Sequence, residues 1–532
     1  MGQTFDILIK GGLLYDGALS APYISDVGIA GGMIRFIGRS GAEDVGKKTI
    51  DARGFAVCPG FIDAHSHSDF TIVADPRAEG KICQGITTEV NGNCGMSAAP
   101  LFNRALEKRE EDLRELGIRE RWNTFSEYFA VLAKRGLAVN TAFLAGHGNI
   151  RGSVVGYDDK EPSQEELDGM AALLEEAIGQ GAIGLSTGLI YPPGIYSGTE
   201  ELIQIARRLR NRDLIYASHM RSEGARLIQA VEEIIRIGEE SGVRVHISHI
   251  KTAGERNWQK AEDVFSLIKE ASGRGLKITC DRYPYVASST DLDAILPSWV
   301  FEGGNDEELR RLLDQKEKDK IAMEMREQSG SHGYWEKVIV SSVSSEKNRW
   351  MEGKTIAEIS SNLRKSGLET VFGILLEERL RVGAIFLSMN EENLRKFLLL
   401  PYCMIGSDSS ARSFDGPTKK GKPHPRTFGT FPRFLGNYVR EGGLFSLPEA
   451  IYKATWLTAR TFALSKRGRL QEGFYADVVV FDSGRIIDKS TYEDPFQMPE
   501  GIAYVLVNGT PAVWEGVPSG KLAGMVLRGN SD

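Results

Sequence analysis

Eight short apolar runs, at 55–63, 86–91, 141–146, 182–186, 214–218, 243–248, 276–281 and 402–407, punctuate the middle of this 532-residue chain. Amphipathic stretches with charged faces, such as 163–179, 199–211, 224–240 and 259–272, fall between them. A short continuous apolar run reads as a strand buried on both faces. Strands that alternate with helical stretches build a parallel sheet, because each parallel crossover needs a connection of helix length. Eight such units favour a (β/α)8 barrel of the TIM type over an open doubly wound sheet, although six strands with extras would form the latter. No G-x-G-x-x-G follows an early strand, which counts against a dinucleotide fold.

The two ends have a different texture. Short β-rich runs at 5–10, 23–29 and 33–37 are separated by Gly11-Gly12 and Gly31-Gly32, and similar runs at 476–481, 502–507 and 511–514 surround the hairpin signal Asn508-Gly509. Each terminal set is too small to bury a face alone, so the two are expected to pair. Residues 1–54 with 466–532 would then form a small β-sandwich, and 55–465 the barrel. Between the seventh and eighth strands lies a stretch at 287–400, with charged helical segments at 306–328, a strand at 338–343 and a helix at 391–399. A structureless loop of that length is improbable, so this insertion is expected to fold on its own and cover the barrel mouth as a lid.

Composition narrows the class of partner. A net charge of −7 with both signs interspersed leaves no basic face for nucleic acid, so a small-molecule substrate is expected. No apolar stretch approaches the ~20 residues of a membrane span. The N-terminus lacks a secretory pattern, and Asp6 breaks a myristoylation motif. Cys58, Cys83, Cys94, Cys280 and Cys403 are odd in number and scattered, which suits reduced thiols or a metal ligand. These features point to a soluble cytoplasmic protein and leave the oligomeric state open.

In a barrel the active site is built at the C-terminal ends of the strands, and ligand-type residues gather there. The first run closes on His65-Ser66-His67, whose histidines, two apart on an extended chain, share one face as two ligands of one ion must. The second ends in Gly92-Asn93-Cys94-Gly95, the third in Gly146-His147-Gly148 and the fifth in Ser218-His219. The sixth ends in His246-Ile-Ser-His249, the seventh in Asp281-Arg282-Tyr283 and the eighth in Ser407-Asp408-Ser409.

Each residue also has a plainer reading. Cys94 could be a buried thiol, but glycine neighbours that let the backbone approach an ion favour a ligand. His246 and His249 fall on opposite strand faces, so His249, nearer the end, is the expected ligand and His246 structural. His147 reads as a substrate contact or a hydrogen-bonded loop residue, and His332, in a Ser-Gly-Ser-His-Gly loop, as a surface residue. Asp408 could cap a turn; its strand-end position favours catalysis.

Pro59-Gly-Phe-Ile-Asp-Ala-His65-Ser-His67, Gly85-Ile-Thr-Thr-Glu-Val-Asn-Gly-Asn-Cys94-Gly, Ala145-Gly-His147-Gly, Ser218-His219-Met-Arg-Ser-Glu, Ile247-Ser-His249-Ile-Lys251, Asp281-Arg-Tyr283-Pro-Tyr and Pro423-His-Pro-Arg426 together resemble the N-acyl-D-amino-acid deacylase (D-aminoacylase) family of the amidohydrolase superfamily. The resemblance runs nearly end to end, weakening at 300–400. It implies a distorted (β/α)8 barrel with a β-sandwich from both termini, and zinc-dependent hydrolysis of N-acyl-D-amino acids to a D-amino acid and a carboxylate. By the same resemblance Cys94, His219 and His249 hold a tight zinc, while His65, His67 and Asp408 form a second, weaker site. Asp408 is the implied catalytic residue, taking a proton from the attacking water and passing it to the departing amine. Many superfamily members bridge two metals with a lysine at the fourth strand end; here that strand reads Ala182-Ile-Gly-Leu-Ser186-Thr.

Lys251, Tyr283 and Arg426 match the positions that bind the substrate carboxylate, for which an arginine fork is well shaped; Ser289 and Tyr191 complete the expected substrate-binding set. Acidic-substrate members place an arginine after Tyr-Pro-Tyr, whereas Ala287 to Trp299 is an apolar run here, which predicts neutral hydrophobic D side chains. Asp291 and Asp293 would suit a free amino group, so L-Xaa-D-Xaa dipeptides are the alternative substrate. A cyclic amidase of the hydantoinase or dihydroorotase type fits less well, given the missing lysine and the Pro-His-Pro-Arg element. A non-catalytic binding protein would have lost ligands that this chain keeps.

Overall fold

The computed structural model describes residues 2–329 and 333–529, so His332 lies outside the described residues. The eight apolar runs form one parallel barrel. Its strands are Phe61–Asp63, Ile86–Asn91, Asn140–Phe143 continued by Ala145–Gly146, Gly184–Gly188, Ile215–His219, Arg244–Ile247, Ile278–Arg282 and Cys403–Ile405. Every neighbouring pair is parallel, and Leu144 N–H, donating to Asn91 O at 2.9 Å, carries the third strand across its break. The eighth strand closes on the first through Ala64 N–H to Ile405 O (3.1 Å), Asp408 N–H to His65 O (2.8 Å) and a parallel bridge between Ser66 and Ser409.

Inward-facing Ile62, Val90, Ala142, Leu144, Ile215 and Met404 pack with Phe462 and Leu464 and fill the barrel interior. Outer helices press their apolar stripes onto it. Gln164–Gln180, started by a Ser163/Glu166 capping box, buries Met170, Leu174 and Ala177, and Leu227–Ser241 buries Val231, Ile234 and Ile235.

The run expected as one strand over 55–63 divides at Gly60. Ala56–Pro59 pairs antiparallel with Val478–Phe481 and so belongs to the sheet of the termini, leaving only Phe61–Asp63 to the barrel. A Cβ at Gly60 would lie 2.1 Å from Thr87 Oγ1, so only glycine lets the chain turn between the two sheets there. The terminal sheet has nine strands, five from the N-terminal side (Thr4–Leu14 to Ala56–Pro59) and four from the C-terminal side (Val478–Phe481 to Val517–Pro518). Ile7, Ile9, Val27 and Ile29 meet Val478, Val480 and Leu506 in one core against this nine-stranded sheet, so neither end would be closed without the other.

The stretch between the seventh and eighth strands carries its own antiparallel sheet, Ser288–Asp291, Val382–Phe386 and Val338–Val343, with helices including Asn305–Leu313, Ile356–Leu363 and Gly367–Glu377. Leu292, Leu296, Val300 and Phe301 are buried in the core of this insertion. It touches the barrel through Arg381, which ion-pairs with Asp112 (3.1 Å) and Glu115 (2.7 Å) of the helix Asn103–Glu115. Among the described residues no helix is long and apolar enough to cross a membrane. All five cysteines are buried and free.

Candidate active site

The barrel brings the strand ends into one cluster. Cys94 Sγ lies 3.3 Å from His249 Nε2 and 3.4 Å from His65 Nε2. His65 Nε2 is 3.3 Å from His67 Nε2, which in turn is 3.1 Å from Asp408 Oδ1. Three of these residues hold left-handed backbone: Cys94 (φ 54°), His249 (φ 36°) and Asp408 (φ 50°). Non-glycine residues adopt that conformation at a cost of about 1–3 kcal/mol, and such residues cluster where geometry serves a site. Glycines at the second and fourth strand ends also permit a close backbone contact. A Cβ on Gly188 would meet Cys94 O at 2.0 Å and one on Gly95 would meet Gly188 N at 2.6 Å, so the second and fourth strand ends close tightly on each other.

The cluster fits zinc. Zn–S near 2.3 Å and Zn–N near 2.0–2.1 Å, at tetrahedral angles, set ligand atoms roughly 3.3–3.6 Å apart. Ligand atoms of His65, Cys94 and His249 lie within 4.8 Å of one another, as do those of His65, His67 and Asp408 and those of His219, Glu223 and His249. The weaker-site set therefore comes together as a unit. Of the tight-site set, Cys94 and His249 meet directly, and His65 Nε2 lies 3.4 Å from Cys94 Sγ. The ring of His219 is 4.4 Å from that of His249, and both its nitrogens are buried without a hydrogen-bond partner. A buried imidazole left unpaired is what a removable ligand partner would explain.

The electrostatics suit that partner. Burial pushes the Cys94 thiol up, but the facing His65 and His249 outweigh it and hold the thiol well below its usual range. Burial opposes charge on His67, yet Asp408 and Cys94 push it up to about 9. His219 is lowered by burial first. A thiolate ringed by imidazoles is a soft set that suits zinc or another borderline metal over hard cations.

Two carboxylates missed as functional orient the cluster from behind. Asp281 Oδ2 faces His65 Nδ1 (3.1 Å) and His246 Nε2 (2.8 Å), and Asp281 Oδ1 accepts the His249 backbone N–H (3.1 Å). Glu223 lies 2.9 Å from His249 Nδ1 and pairs with Lys251. Each fixes which ring nitrogen faces the cluster. The signal for both was in view, since Asp281 stands at a strand end and Glu223 closes the Ser218-to-Glu segment. His246 faces Thr279 and Asp281 rather than the cluster, and His147 pairs with Glu201 at 2.9 Å.

Of the expected substrate contacts, Arg426 and Tyr283 lie together. The Arg426 guanidinium sits 4.6 Å above the Tyr283 ring, with Nη1 2.8 Å from Asp408 Oδ2 and Nη2 donating to Ser289 O at 3.2 Å. The Tyr283 hydroxyl is buried with no partner. Tyr191 packs 5.1 Å from His219 and its hydroxyl meets Thr290 Oγ1 at 3.0 Å. Ser289 is turned the other way, its hydroxyl donating to Ala384 O within the insertion sheet, so only its backbone carbonyl faces Arg426. Lys251 is already committed to Glu223 and lies 2.7 Å from His249 Nδ1. Beside His67 opens a cavity of about 250 Å³, walled by Phe70, Thr71, Leu116, Asp112, Glu115 and Arg381.

A profile of the Amidohydrolase family matches residues 48–287 and 309–513. A D-aminoacylase of Alcaligenes xylosoxydans xylosoxydans is 37% identical over 99% of this chain and 98% of its own. The crystal structure of an N-acyl-D-glutamate deacylase from Bordetella bronchiseptica, complexed with zinc and a phosphonate inhibitor that mimics the tetrahedral intermediate, superposes with a TM-score of 0.84 at 32% identity, covering 99% of this chain and 100% of that one. A D-aminoacylase structure with a binuclear metal centre, described by one-metal activation and second-metal attenuation, gives a TM-score of 0.82 at 34% identity, covering 98% and 100%. With the profile spanning most of its length and the barrel and ligand cluster in place, this chain belongs to the Amidohydrolase family.

Proposed function

We propose that this chain hydrolyses the amide bond of N-acyl-D-amino acids, releasing a D-amino acid and a carboxylate, with zinc as its metal. The observation that carries the reading is the contact of Asp408 with both His67 and Arg426: one carboxylate stands between a ligand cluster and a cation suited to a substrate carboxylate. Relatives that act on N-acyl-D-amino acids match over nearly the whole chain, and one of their structures holds zinc.

In this reading Cys94, His219 and His249 hold one zinc tightly, and His65, His67 and Asp408 hold a second more weakly. When bound, zinc polarises a carbonyl and brings the pKa of water toward ~7. Arg426 and Tyr283 bind the substrate carboxylate, the guanidinium by its fork and the phenol by its free hydroxyl. Asp408, ionised by its neighbours, accepts the proton of the attacking water and returns it to the nitrogen of the departing amine. Asp281 and Glu223 keep His65 and His249 from turning.

The side chain is proposed to be neutral, on different ground from the sequence reading. Leu292 and Leu296 are buried in the core of the insertion and do not line the site. An acidic side chain would need an unmatched cation, but Arg381, the cation of the cavity beside His67, is matched by Asp112 and Glu115, and Phe70 and Leu116 supply apolar wall. L-Xaa-D-Xaa dipeptides stay the alternative, because burial and Asp112 raise the pKa of Asp291 against the pull of Lys108, Arg109 and Arg381. Steady-state kcat/KM for N-acetyl-D-leucine, N-acetyl-D-glutamate and L-leucyl-D-leucine separates these readings. D-leucine is expected to lead, and a preference for D-glutamate would sink the neutral-pocket reading. We place this chemistry in the cytoplasm, a compartment that suits the five free cysteines.

A further inference from the structure

Behind the ligand cluster one lysine is wholly enclosed. Lys81, on the short helix Glu79–Ile82, has no solvent exposure, and neither do Asp63 and Glu89 beside it. Its ammonium donates to Asp63 Oδ2 (2.8 Å), Ser66 Oγ (2.9 Å), Ser407 Oγ (2.9 Å) and Ser409 O (2.9 Å), with Ser409 Oγ at 3.3 Å and Glu89 Oε2 at 3.6 Å. Barrel packing does not demand this. An apolar side chain would fill the space with no partners to find, and buried ion pairs as a class do not out-stabilise apolar replacements.

What the partners share is their place in the chain. Ser66 lies between His65 and His67, and Ser407 and Ser409 flank Asp408. A single ammonium therefore grips the immediate neighbours of all three members of the His65, His67 and Asp408 set, across the seam where the eighth strand closes on the first. The two carboxylates extend the grip: Asp63 Oδ1 accepts from Ser407 N (2.7 Å) and His65 N (3.3 Å), and Glu89 Oε2 accepts from Ser66 and Ser68 at 2.8 Å each. Asp408 needs such support, because its left-handed backbone (φ 50°) persists only where the surroundings over-determine it.

We propose that Lys81 is a positioning residue that fixes the spacing of His65, His67 and Asp408, and through it the second metal site and the aim of the Asp408 carboxylate. Enclosed on every side, its ammonium reaches neither substrate nor ligand cluster and acts only through these neighbours. For the part Asp408 plays in turnover the inference rests on the deacylase reading; for metal binding it does not.

The test is zinc binding by equilibrium dialysis, with kcat and KM alongside, on full-length wild type and Lys81→Met. Wild type is expected to take two zinc ions, the second more weakly. Lys81→Met is expected to keep the first, bind the second about 10–100-fold more weakly and lose kcat in the same range, with KM little changed, as loss of an outer-sphere partner does. Because methionine strands two buried carboxylates, Ser66→Ala and Ser407→Ala are measured beside it; each removes one acceptor of the ammonium and keeps every charge. Each is expected to weaken the second zinc several-fold while the first stays at full occupancy. Native-like affinity for the second zinc in the folded variants overturns the proposal. So does loss of both zinc ions together, which would make Lys81 a general prop, and so does a wild type that never takes a second zinc. A wild type that binds two zinc ions but hydrolyses no N-acyl-D-amino acid defeats the deacylase reading alone, and the zinc titration still decides Lys81.

Discussion

Arg426 Nη1 lies 2.8 Å from Asp408 Oδ2, so the cation proposed to take the substrate carboxylate is, in the free protein, paired with the carboxylate proposed to move protons. Burial pushes the Asp408 carboxyl up, but Arg426, with His249 and His67, outweighs it and holds the group well below the usual carboxylate range. An arriving carboxylate must share the guanidinium fork, and binding is thereby tied to the state of the base.

Arg426→Gln tests that tie. It removes the guanidinium from both partners, so KM rises and kcat/KM falls by about 2–5 kcal/mol of transition-state binding, the range for truncating one partner of a buried charge pair. With the cation gone the Asp408 pKa climbs, and the acid limb of the kcat/KM profile moves to higher pH. Arg426→Lys restores charge without the fork, so the limb returns while KM stays high.

Metal uptake at the weaker site should depend on pH in a defined direction. In the metal-free protein His67 keeps a proton up to about pH 9, and a ligand must give that proton up. Burial opposes charge on His65 too, yet Asp281 and Cys94 raise it well above its usual range, so affinity for the second zinc rises with pH through about 9, by up to tenfold per unit for each proton released. Isothermal titration at several pH values checks the slope, and a flat profile would remove His67 from the site.

Cys94→Ala and Asp408→Asn should fail differently. Cys94→Ala loses its first-site zinc by metal analysis, since a thiolate drops out of the set. Asp408→Asn keeps that zinc and loses about 10²–10⁴-fold in kcat, the share of a general acid–base group.

Glu308, in the insertion, predicts a stability effect away from the site. It is 3% exposed and its Oε1 has no partner; burial, then Asp293, raise its pKa from 4.5 to about 9. A raised acid keeps its proton in the native state after the unfolded chain has lost it, so stability falls as pH rises from 4.5 toward 9. Glu308→Gln removes that penalty. Thermal melts should show a gain of about 1–3 kcal/mol at pH 8, growing toward pH 9 and vanishing below the unfolded-state pKa.

The strands were legible because burial on both faces leaves an unbroken apolar run, and the pairing of the ends because neither could close its own core. The split at Gly60 was not, since it depends on Thr87, a neighbour that only the folded barrel supplies. The ligand-type residues were legible as a group from their strand ends, whereas which atoms meet was not: His65 Nε2 comes to 3.4 Å from Cys94 Sγ, with Asp281 behind its other ring nitrogen. The run after Tyr285 was apolar for the sake of the insertion core, and hydropathy cannot tell a core from a pocket wall. Lys81 could not be read at all, because a lone lysine in a short helix is by default solvated.

The most direct test of the account is kcat/KM for N-acetyl-D-leucine against N-acetyl-L-leucine on protein carrying one zinc per chain. The account predicts that the D-enantiomer is favoured by at least ~10²-fold and that removing the zinc abolishes turnover, because the metal and the oriented carboxylate are both needed in the transition state. Equal rates for the two enantiomers, or turnover that survives complete removal of the metal, would contradict it.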